Sequence, residues 1–295
     1  MKSVLLRACI PVVALVFAAC SGGSGGSGMG GGGGSGTGEL TVEMTDKPFA
    51  YDLVTKAIVR VDRIEIGPQG EDDEGFVTLF EGQPIEVDLL DLTNGATKIL
   101  VRTDVAVGSY DEIRLRVVSA HLELIDGDVF STELGNMHLT STATSGLKVK
   151  IDPALEVVGD VSRTLLLDFD LTKSFHAVPA NDPLNANSYK LMPVVHATDV
   201  STAGEVRGVV RQDDGTGTST LVGVDAATVY LMPVGEPDPA NSAAATKTDP
   251  DGSYALIGVP PGTWDVLAVK DPASGRVDGI EVIKGMATTV DVKIE

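Results

Sequence analysis

Cysteine is almost absent from this chain. The 295 residues include two cysteines, Cys9 and Cys20, and both lie within the first 20 positions. The rest of the sequence therefore has no thiol, which excludes cysteine catalysis, cysteine-ligated zinc and disulfide bonds there. Stability must come from packing, and a chain of this length with 43% hydrophobic residues is able to bury a sizeable core.

Positive charge is also scarce. The chain has 22 Lys and Arg against 42 Asp and Glu, a formal net charge of −20 at pH 7. Such a surface repels phosphate backbones and anionic lipid headgroups, so the composition argues against nucleic-acid binding and against electrostatic membrane binding. Acidity keeps a protein soluble, and it can also concentrate divalent cations near the surface.

Helical periodicity is lacking as well. Beyond residue 38, apolar and polar residues alternate, as in Leu165, Leu167 and Phe169, and turn signals such as Asp251-Gly252 separate the alternating segments. At most, residues 91–100 include a helical turn. The pattern predicts an all-β protein with two β-sandwich domains in tandem.

The first 19 residues have the parts of a secretory signal. Lys2 and Arg7 give a positive start, and residues 8–17 form an apolar stretch. This stretch is much shorter than the roughly 20 apolar residues of a membrane-spanning helix. We therefore interpret residues 1–19 as a signal peptide, whose removal would take away two positive charges.

The end of this segment resembles the lipobox of bacterial lipoproteins. Residues 16–20 read Val-Phe-Ala-Ala-Cys, and in that class a peptidase cleaves before the cysteine, which then carries acyl chains, palmitate among them. The resemblance implies lipid attachment at Cys20 and a membrane-anchored envelope protein. Ser21 rather than Asp follows, which in such lipoproteins favours transport to the outer membrane. The alternative is an ordinary signal peptide cleaved near Ala19.

Residues 20–38 are predicted to be the acylated cysteine and a flexible tether. Residues 21–38 include 12 glycines and 4 serines. A coil of this composition and length has a root-mean-square span of roughly 23 Å. A second boundary falls near residues 201–204, where one strand pattern ends and another begins. We therefore predict domains over residues 39–200 and 204–295.

The downstream domain resembles the carboxypeptidase regulatory-like domain, a small prealbumin-type β-sandwich. The resemblance is carried by Thr248-Asp249-Pro250-Asp251-Gly252 with the strand after it, and by Val259-Pro260-Pro261-Gly262-Thr263-Trp264. It implies a structural or recognition module without catalytic residues. An EF-hand is excluded at this turn, because its spacing would require ligands at Lys247 and Gly258.

The upstream domain resembles an uncharacterised lipoprotein domain, the domain-of-unknown-function family 4382. The resemblance begins at residues 38–48 and continues through Val87-Asp88-Leu89-Leu90-Asp91-Leu92-Thr93-Asn94-Gly95. It ends with Leu167-Asp168-Phe169-Asp170 and Tyr189-Lys190-Leu191-Met192-Pro193-Val194. It implies a β-rich, lipid-anchored, exported protein and brings no established activity. The segment from His176 to Ser188 is interpreted as an inserted loop.

Asp168 and Asp170 are the most interesting polar pair. Alternation places them on one face of a strand, with Leu167 and Phe169 on the other. Three interpretations remain open: pairing with cations or plain solvation, ligation of calcium, and an acid–base pair of the glycosidase type. For the first, we expect Arg114 and Arg116 on a neighbouring strand of the same sheet, forming a charge ladder.

Histidines give no local metal motif. No two of His121, His138, His176 and His196 are two to five residues apart, and His121 is expected on a solvated face with Glu123. We expect no catalytic, cofactor or metal residues. The predicted function is a non-catalytic, lipid-anchored envelope protein that presents loops, such as residues 71–74 and 176–188, to a protein or glycan partner. The alternative is an accessory protein or enzyme, possibly calcium-dependent, that acts on envelope polysaccharide.

Overall fold

The computed structural model describes residues 36–47, 53–70, 75–140, 146–180, 182–215 and 220–295. Cys20, the predicted signal peptide, nearly all of the tether and the acidic segment 71–74 lie outside the described residues. Residues 34–295 form one compact unit. This unit has two separate large hydrophobic cores, one built from residues between 40 and 197 and the other from residues between 206 and 294. We call residues 37–199 the N-terminal module and residues 204–295 the C-terminal module.

The N-terminal module is almost entirely β-structure. Its strands are β1 (Thr37–Lys47), β2 (Val54–Pro68), β3 (Val77–Asp88), β4 (Lys98–Ala106), β5 (Gly108–Leu124), β6 (Val129–Ser131), β7 (Met137–Leu139), β8 (Leu147–Val157), β9 (Arg163–Asp170), β10 (Phe175–Val178), β11 (Ser188–Leu191) and β12 (Val195–Asp199). One short α-helix, α1 (Leu171–Ser174), and two 3-10 turns, Leu89–Leu92 and Pro183–Asn185, interrupt them.

One long sheet forms most of this module. Its order is β3-β2-β5-β8-β12-β9-β1-β4, with β6 added beside β5, and a second sheet has the order β10-β11-β7. The edge strands β3 and β4 approach each other, and Lys98 Nζ on β4 donates to the Glu86 carbonyl on β3 at 2.7 Å. The long sheet therefore curls around its apolar face, and alternation of apolar residues along β9 and β5 supplies the core.

The C-terminal module consists of two facing sheets over one core. Its strands are β13 (Gly204–Asp213), β14 (Leu221–Gly223), β15 (Thr228–Pro233), β16 (Ala244–Lys247), β17 (Ser253–Val259), β18 (Gly262–Lys270), β19 (Ala273–Val282), β20 (Ala287–Thr289) and β21 (Val292–Lys293). One sheet has the order β14-β13-β17, with β20 and β21 also paired to β13, and the other has the order β16-β15-β18-β19. Short 3-10 turns lie at Val200–Thr202 and Pro239–Asn241.

The all-β prediction is confirmed. The 3-10 turn at Leu89–Leu92 overlaps only the start of residues 91–100, where a helical turn was considered. The segment from His176 to Ser188 is less loop-like than predicted, because β10 extends to Val178 and pairs with β11. The helix α1 was not predicted; the Asp170 carboxylate caps it by accepting from Lys173 N at 3.0 Å. The division into domains at residues 200 and 204 stays a prediction, since the two cores lie within one compact unit.

Candidate functional site

A turn of the N-terminal module contacts the C-terminal module at the junction. The sequence predicts the turn but not this contact. Asn94 lies between β3 and β4 in the left-handed backbone region, with φ of 57°. Its side-chain carbonyl accepts from Ala255 N at 2.6 Å, and its side-chain amide donates to Asp249 Oδ2 at 2.5 Å. Its own N–H donates to Thr246 Oγ1 at 2.6 Å. One residue of the N-terminal module thus makes three hydrogen bonds to the C-terminal module.

A buried ion pair supports the same junction. Lys47, at the end of β1, has its Nζ 3.3 Å from Asp170 Oδ2 and donates to the carbonyl of Ser242 in the C-terminal module at 2.7 Å. The Lys47 and Asp170 side chains are 8% and 1% exposed. Because β1 and β9 are parallel and in register, Lys47 faces Asp170 and Thr45 faces Asp168. The junction is therefore lined by charged groups from both strands.

The expected charge ladder between these aspartates and the arginines of β5 was wrong. Strands β8 and β12 lie between β5 and β9 in the sheet, so the two charged faces are not neighbours. Arg116 instead makes a two-pronged contact with Asp62 on β2, at 2.7 and 3.0 Å. Arg114 bonds Glu112 at 2.8 Å, and its guanidinium lies 3.6 Å from the ring centre of Phe76.

The larger opening at the junction is a cleft of about 450 Å³. One wall comes from the N-terminal module and carries Asp168, Lys173 and His196, with Lys150 and Asp152 beside them. The other wall comes from residues 242–244, 257, 258 and 260 of the C-terminal module. Carboxylates, amines, an imidazole and apolar surface thus converge in one cleft at a module boundary, where ligand sites commonly occur.

Asp168 is the most perturbed group in this cleft. Burial raises the pKa of its carboxyl to about 7, Lys47 opposes the shift, and Asp170 adds to it. Partial desolvation lowers the pKa of His196 on the neighbouring strand β12, so that its imidazole is neutral at pH 7. Perturbed titratable groups in a cleft are typical of functional sites. The sequence pointed to Asp168 through its pairing with Asp170, and missed His196.

Asp46 is another group at the junction that the sequence did not single out. It lies on β1 between Thr45 and Lys47 and is 4% exposed. Its pKa is raised well above the ordinary value, first by desolvation and then by the charges of Asp168 and Asp170, while Lys247 opposes the shift. The alternating pattern of β1 did not indicate that Asp46 is buried, because its burial comes from the C-terminal module.

The other histidines lie away from the cleft. His121 Nε2 is 2.8 Å from Glu123 Oε1, in agreement with the predicted shared face. His138 and His176 stand on either side of Lys190 across three paired strands, although they are far apart in sequence. Within the described ranges, no group of three or more His, Cys, Asp and Glu side chains is arranged to hold a metal ion.

A second, more apolar pocket of about 180 Å³ lies at one end of the N-terminal module. It is lined by side chains of β5, by Phe175 and Tyr189, and by His176 and Pro183 from the segment interpreted as an inserted loop. Tyr189 is fixed there, since its hydroxyl donates to the Pro183 carbonyl at 3.0 Å and its ring packs on Phe130. This pocket is smaller and less polar than the cleft at the junction.

The turn at Asp249-Asp251-Gly252 is structural, as the sequence indicated. Gly252 has φ of 85°, and its N–H donates to the Asp249 carbonyl at 2.8 Å. Asp251 accepts from both the N–H and the hydroxyl of Ser253, at 2.9 and 2.6 Å. Asp249 contributes to the junction instead, through Asn94.

In the part of the chain that the structure covers, no helix has the length and apolar character needed to span a bilayer.

Several solved structures share a partial likeness with the chain. A protein of Pseudomonas aeruginosa, provisionally described as a carbohydrate binding protein, is 15% identical with a TM-score of 0.23, over 32% of this chain and 91% of its own. The minor pilin GBS52 of Streptococcus agalactiae is 10% identical with a TM-score of 0.22, over 87% and 95%. The shaft pilin SpaA of Lactobacillus rhamnosus GG is 9% identical with a TM-score of 0.23, over 88% and 97%. At these TM-scores, the likenesses do not support a conclusion about the function of this chain. No curated protein matches the chain.

A family match covers the N-terminal module. The domain of unknown function DUF4382 matches residues 37–193, which is more than half of the 295 residues and spans β1 to β11. The match confirms the resemblance seen in the upstream sequence, whereas the carboxypeptidase regulatory-like resemblance of residues 204–295 stays a prediction. The chain therefore belongs to the DUF4382 family.

Proposed function

We propose that this protein is a non-catalytic envelope protein, anchored by acyl chains on Cys20, that binds an oligosaccharide in the cleft between its two β-sandwich modules. The observation that carries the proposal is the cleft itself, which brings polar groups and apolar surface together at the junction. Its volume of about 450 Å³ lies within the range of roughly 300–1,000 Å³ that is usual for ligand sites.

The chemistry of the cleft suits a polyhydroxylated ligand. Asp168 and His196 offer hydrogen-bond acceptors, and Lys150 and Lys173 offer donors, so both kinds of partner for sugar hydroxyls are present. Ile257 and Pro260 supply apolar surface for the C–H faces of a sugar ring. The two lysines also favour a sugar that carries a carboxylate. A protein segment is the competing ligand, and the test below separates the two.

We expect a bulky side chain in the cleft to weaken sugar binding. Ala243 lines the cleft and is exposed, so Ala243→Trp should fill the cleft without burying the ring in a core. The mature protein, purified in detergent, is titrated calorimetrically with a panel of neutral and uronic-acid-containing oligosaccharides. We expect one class to bind, with an affinity at least tenfold weaker for Ala243→Trp.

The matched control is Ala287→Trp, an exposed alanine on β20 that is not part of the cleft. This variant should bind as the unsubstituted protein does. Absence of binding across the whole panel, or equal affinity in both tryptophan variants, would contradict a sugar site in the cleft. Cleavage of an oligosaccharide during the titration would contradict the non-catalytic assignment and favour an enzyme that acts on polysaccharide.

The anchor is tested separately through the two cysteines. The proposal rests on the lipobox-like residues 16–20 and on the glycine-serine tether that follows. Several acyl chains hold a protein durably, because each buried CH₂ contributes about 0.8 kcal/mol. After growth with a clickable palmitate analogue, we expect label and membrane fractionation for the unsubstituted chain and for Cys9→Ser. Cys20→Ser should lose the label, and label that persists in Cys20→Ser would refute attachment at this residue.

A further inference from the structure

Asp46 is a buried carboxylate without a hydrogen-bond partner among the described residues. Both of its side-chain oxygens are inaccessible to solvent and unbonded, and so is Oδ1 of Asp168. Asp265, by contrast, is a buried carboxylate whose oxygens do accept hydrogen bonds. It accepts from Gly235 N at 2.9 Å, from Gly279 N at 2.8 Å and from Arg276 at 2.6 Å. Burying an unpaired charge costs much free energy. We therefore expect Asp46 and Asp168 to have a partner other than a protein hydrogen-bond donor.

The two aspartates share a small cavity at the junction. Its volume is about 20 Å³, which is room for one water-sized particle. Besides Asp46 and Asp168, its lining includes Thr45 from β1, Thr246 from β16 and the apolar residues Leu256 and Ile257. Asp168 also lines the larger cleft, so the cavity and the cleft meet at this residue.

The nearby amines are already engaged elsewhere. Lys47 lies 3.3 Å from Asp170 and donates to the Ser242 carbonyl, and Lys173 lies 3.5 Å from Asp170. Lys247 offsets part of the charge on Asp46, whereas Asp88 and Asp170 add to it. Negative charge is therefore concentrated at the cavity, and the described side chains around it do not supply the hydrogen bonds that these oxygens lack.

We propose that Asp46 and Asp168 together bind one calcium ion in this cavity, and that the ion fastens the C-terminal module to the N-terminal module. Two carboxylates balance the charge of a divalent cation, and calcium accepts mixed oxygen ligands. The hydroxyls of Thr45 and Thr246 lie in the same lining, and water or backbone oxygens complete the shell. Thr45 donates its proton to the carbonyls of Leu92 and Ala96, which leaves its oxygen available as a ligand.

Calcium is expected to raise the melting temperature of the full mature protein, by about 4 °C or more at millimolar concentration and pH 8. The reference is the same protein in EDTA. At pH 5 the shift should be much smaller, because protons then compete for the two carboxylates. Equilibrium dialysis with radioactive calcium should show one tightly bound equivalent that disappears in Asp46→Asn and in Asp168→Asn.

The asparagine variants keep the shape of the side chain, and in EDTA both should melt at or above the temperature of the unsubstituted protein. Asp104→Asn, on an exposed position of β4, is the matched control and should keep the full response. An unchanged melting temperature between calcium and EDTA at pH 8 would overturn the proposal. So would a calcium response that persists in both asparagine variants.

Discussion

Replacing Lys47 with methionine is expected to lower the free energy of unfolding by about 3–5 kcal/mol. The cause is not the loss of the ion-pair attraction itself but the buried carboxylate that is left without its charged partner. Asp170 is 1% exposed. Without Lys47, the contacts left to its carboxylate among the described residues are those of α1, the Lys173 N–H at 3.0 Å and the Lys173 amine at 3.5 Å. The Ser242 carbonyl would lose its donor at the same time. Urea unfolding followed by tryptophan fluorescence measures the change.

Two further variants separate this cause from general loss of packing. In the double variant Lys47→Met, Asp170→Asn, the buried charge is gone while an oxygen remains to cap α1, so most of the lost stability should return. Lys173→Met is the matched control, because its amine also contacts Asp170 but is 47% exposed. It should cost less than about 1 kcal/mol. An equal loss in Lys47→Met and in the double variant would contradict the explanation.

Alternation along single strands carried most of what the sequence could predict. In β9, Leu165, Leu167 and Phe169 are spaced by two and enter the core. Asp168 and Asp170 lie at the alternate positions, and this spacing is what singled out the pair. Turn residues were equally informative, because Gly252 and Asn94 both occupy the left-handed region that their types favour. Such signals are local, and local sequence is sufficient to specify them.

The partners of these residues could not be predicted in the same way. The order of strands in the long sheet separates Arg114 from Asp168, and nothing in either segment specifies that β8 and β12 lie between them. Asp46 and Lys47 look like surface residues because the module that buries them begins more than 150 positions later, at Gly204. The cleft likewise belongs to neither module alone. Pairing between distant segments is decided by the whole core, so the site emerged only with the tertiary structure.

Stability in EDTA is expected to fall as the pH rises from about 5 to 8. The carboxyl of Asp168 has a pKa of about 7 in the folded protein, against about 3.9 in an unfolded chain. Between these values the folded state holds a proton that the unfolded state releases, so unfolding becomes easier with each rise in pH. At about 1.4 kcal/mol for each unit of difference, Asp168 accounts for at most about 4 kcal/mol, and Asp46 acts in the same direction.

Other charged groups determine the pH at which stability stops rising as the pH is lowered. The charges that act on the two carboxyls from the surrounding elements are those of Lys47, Asp88, Asp170, Lys173 and Lys247. Below about pH 4 the trend reverses, because carboxyls with lowered pKa, such as those of Glu112 and Asp265, lose their partners when protonated. Maximum stability is therefore expected near pH 5. Urea unfolding at pH 5, 6, 7 and 8 gives the profile, and Asp168→Asn should flatten much of it. A profile that rises toward pH 8, or one that Asp168→Asn leaves unchanged, would mean that this carboxyl is ionised at the junction and has a partner there.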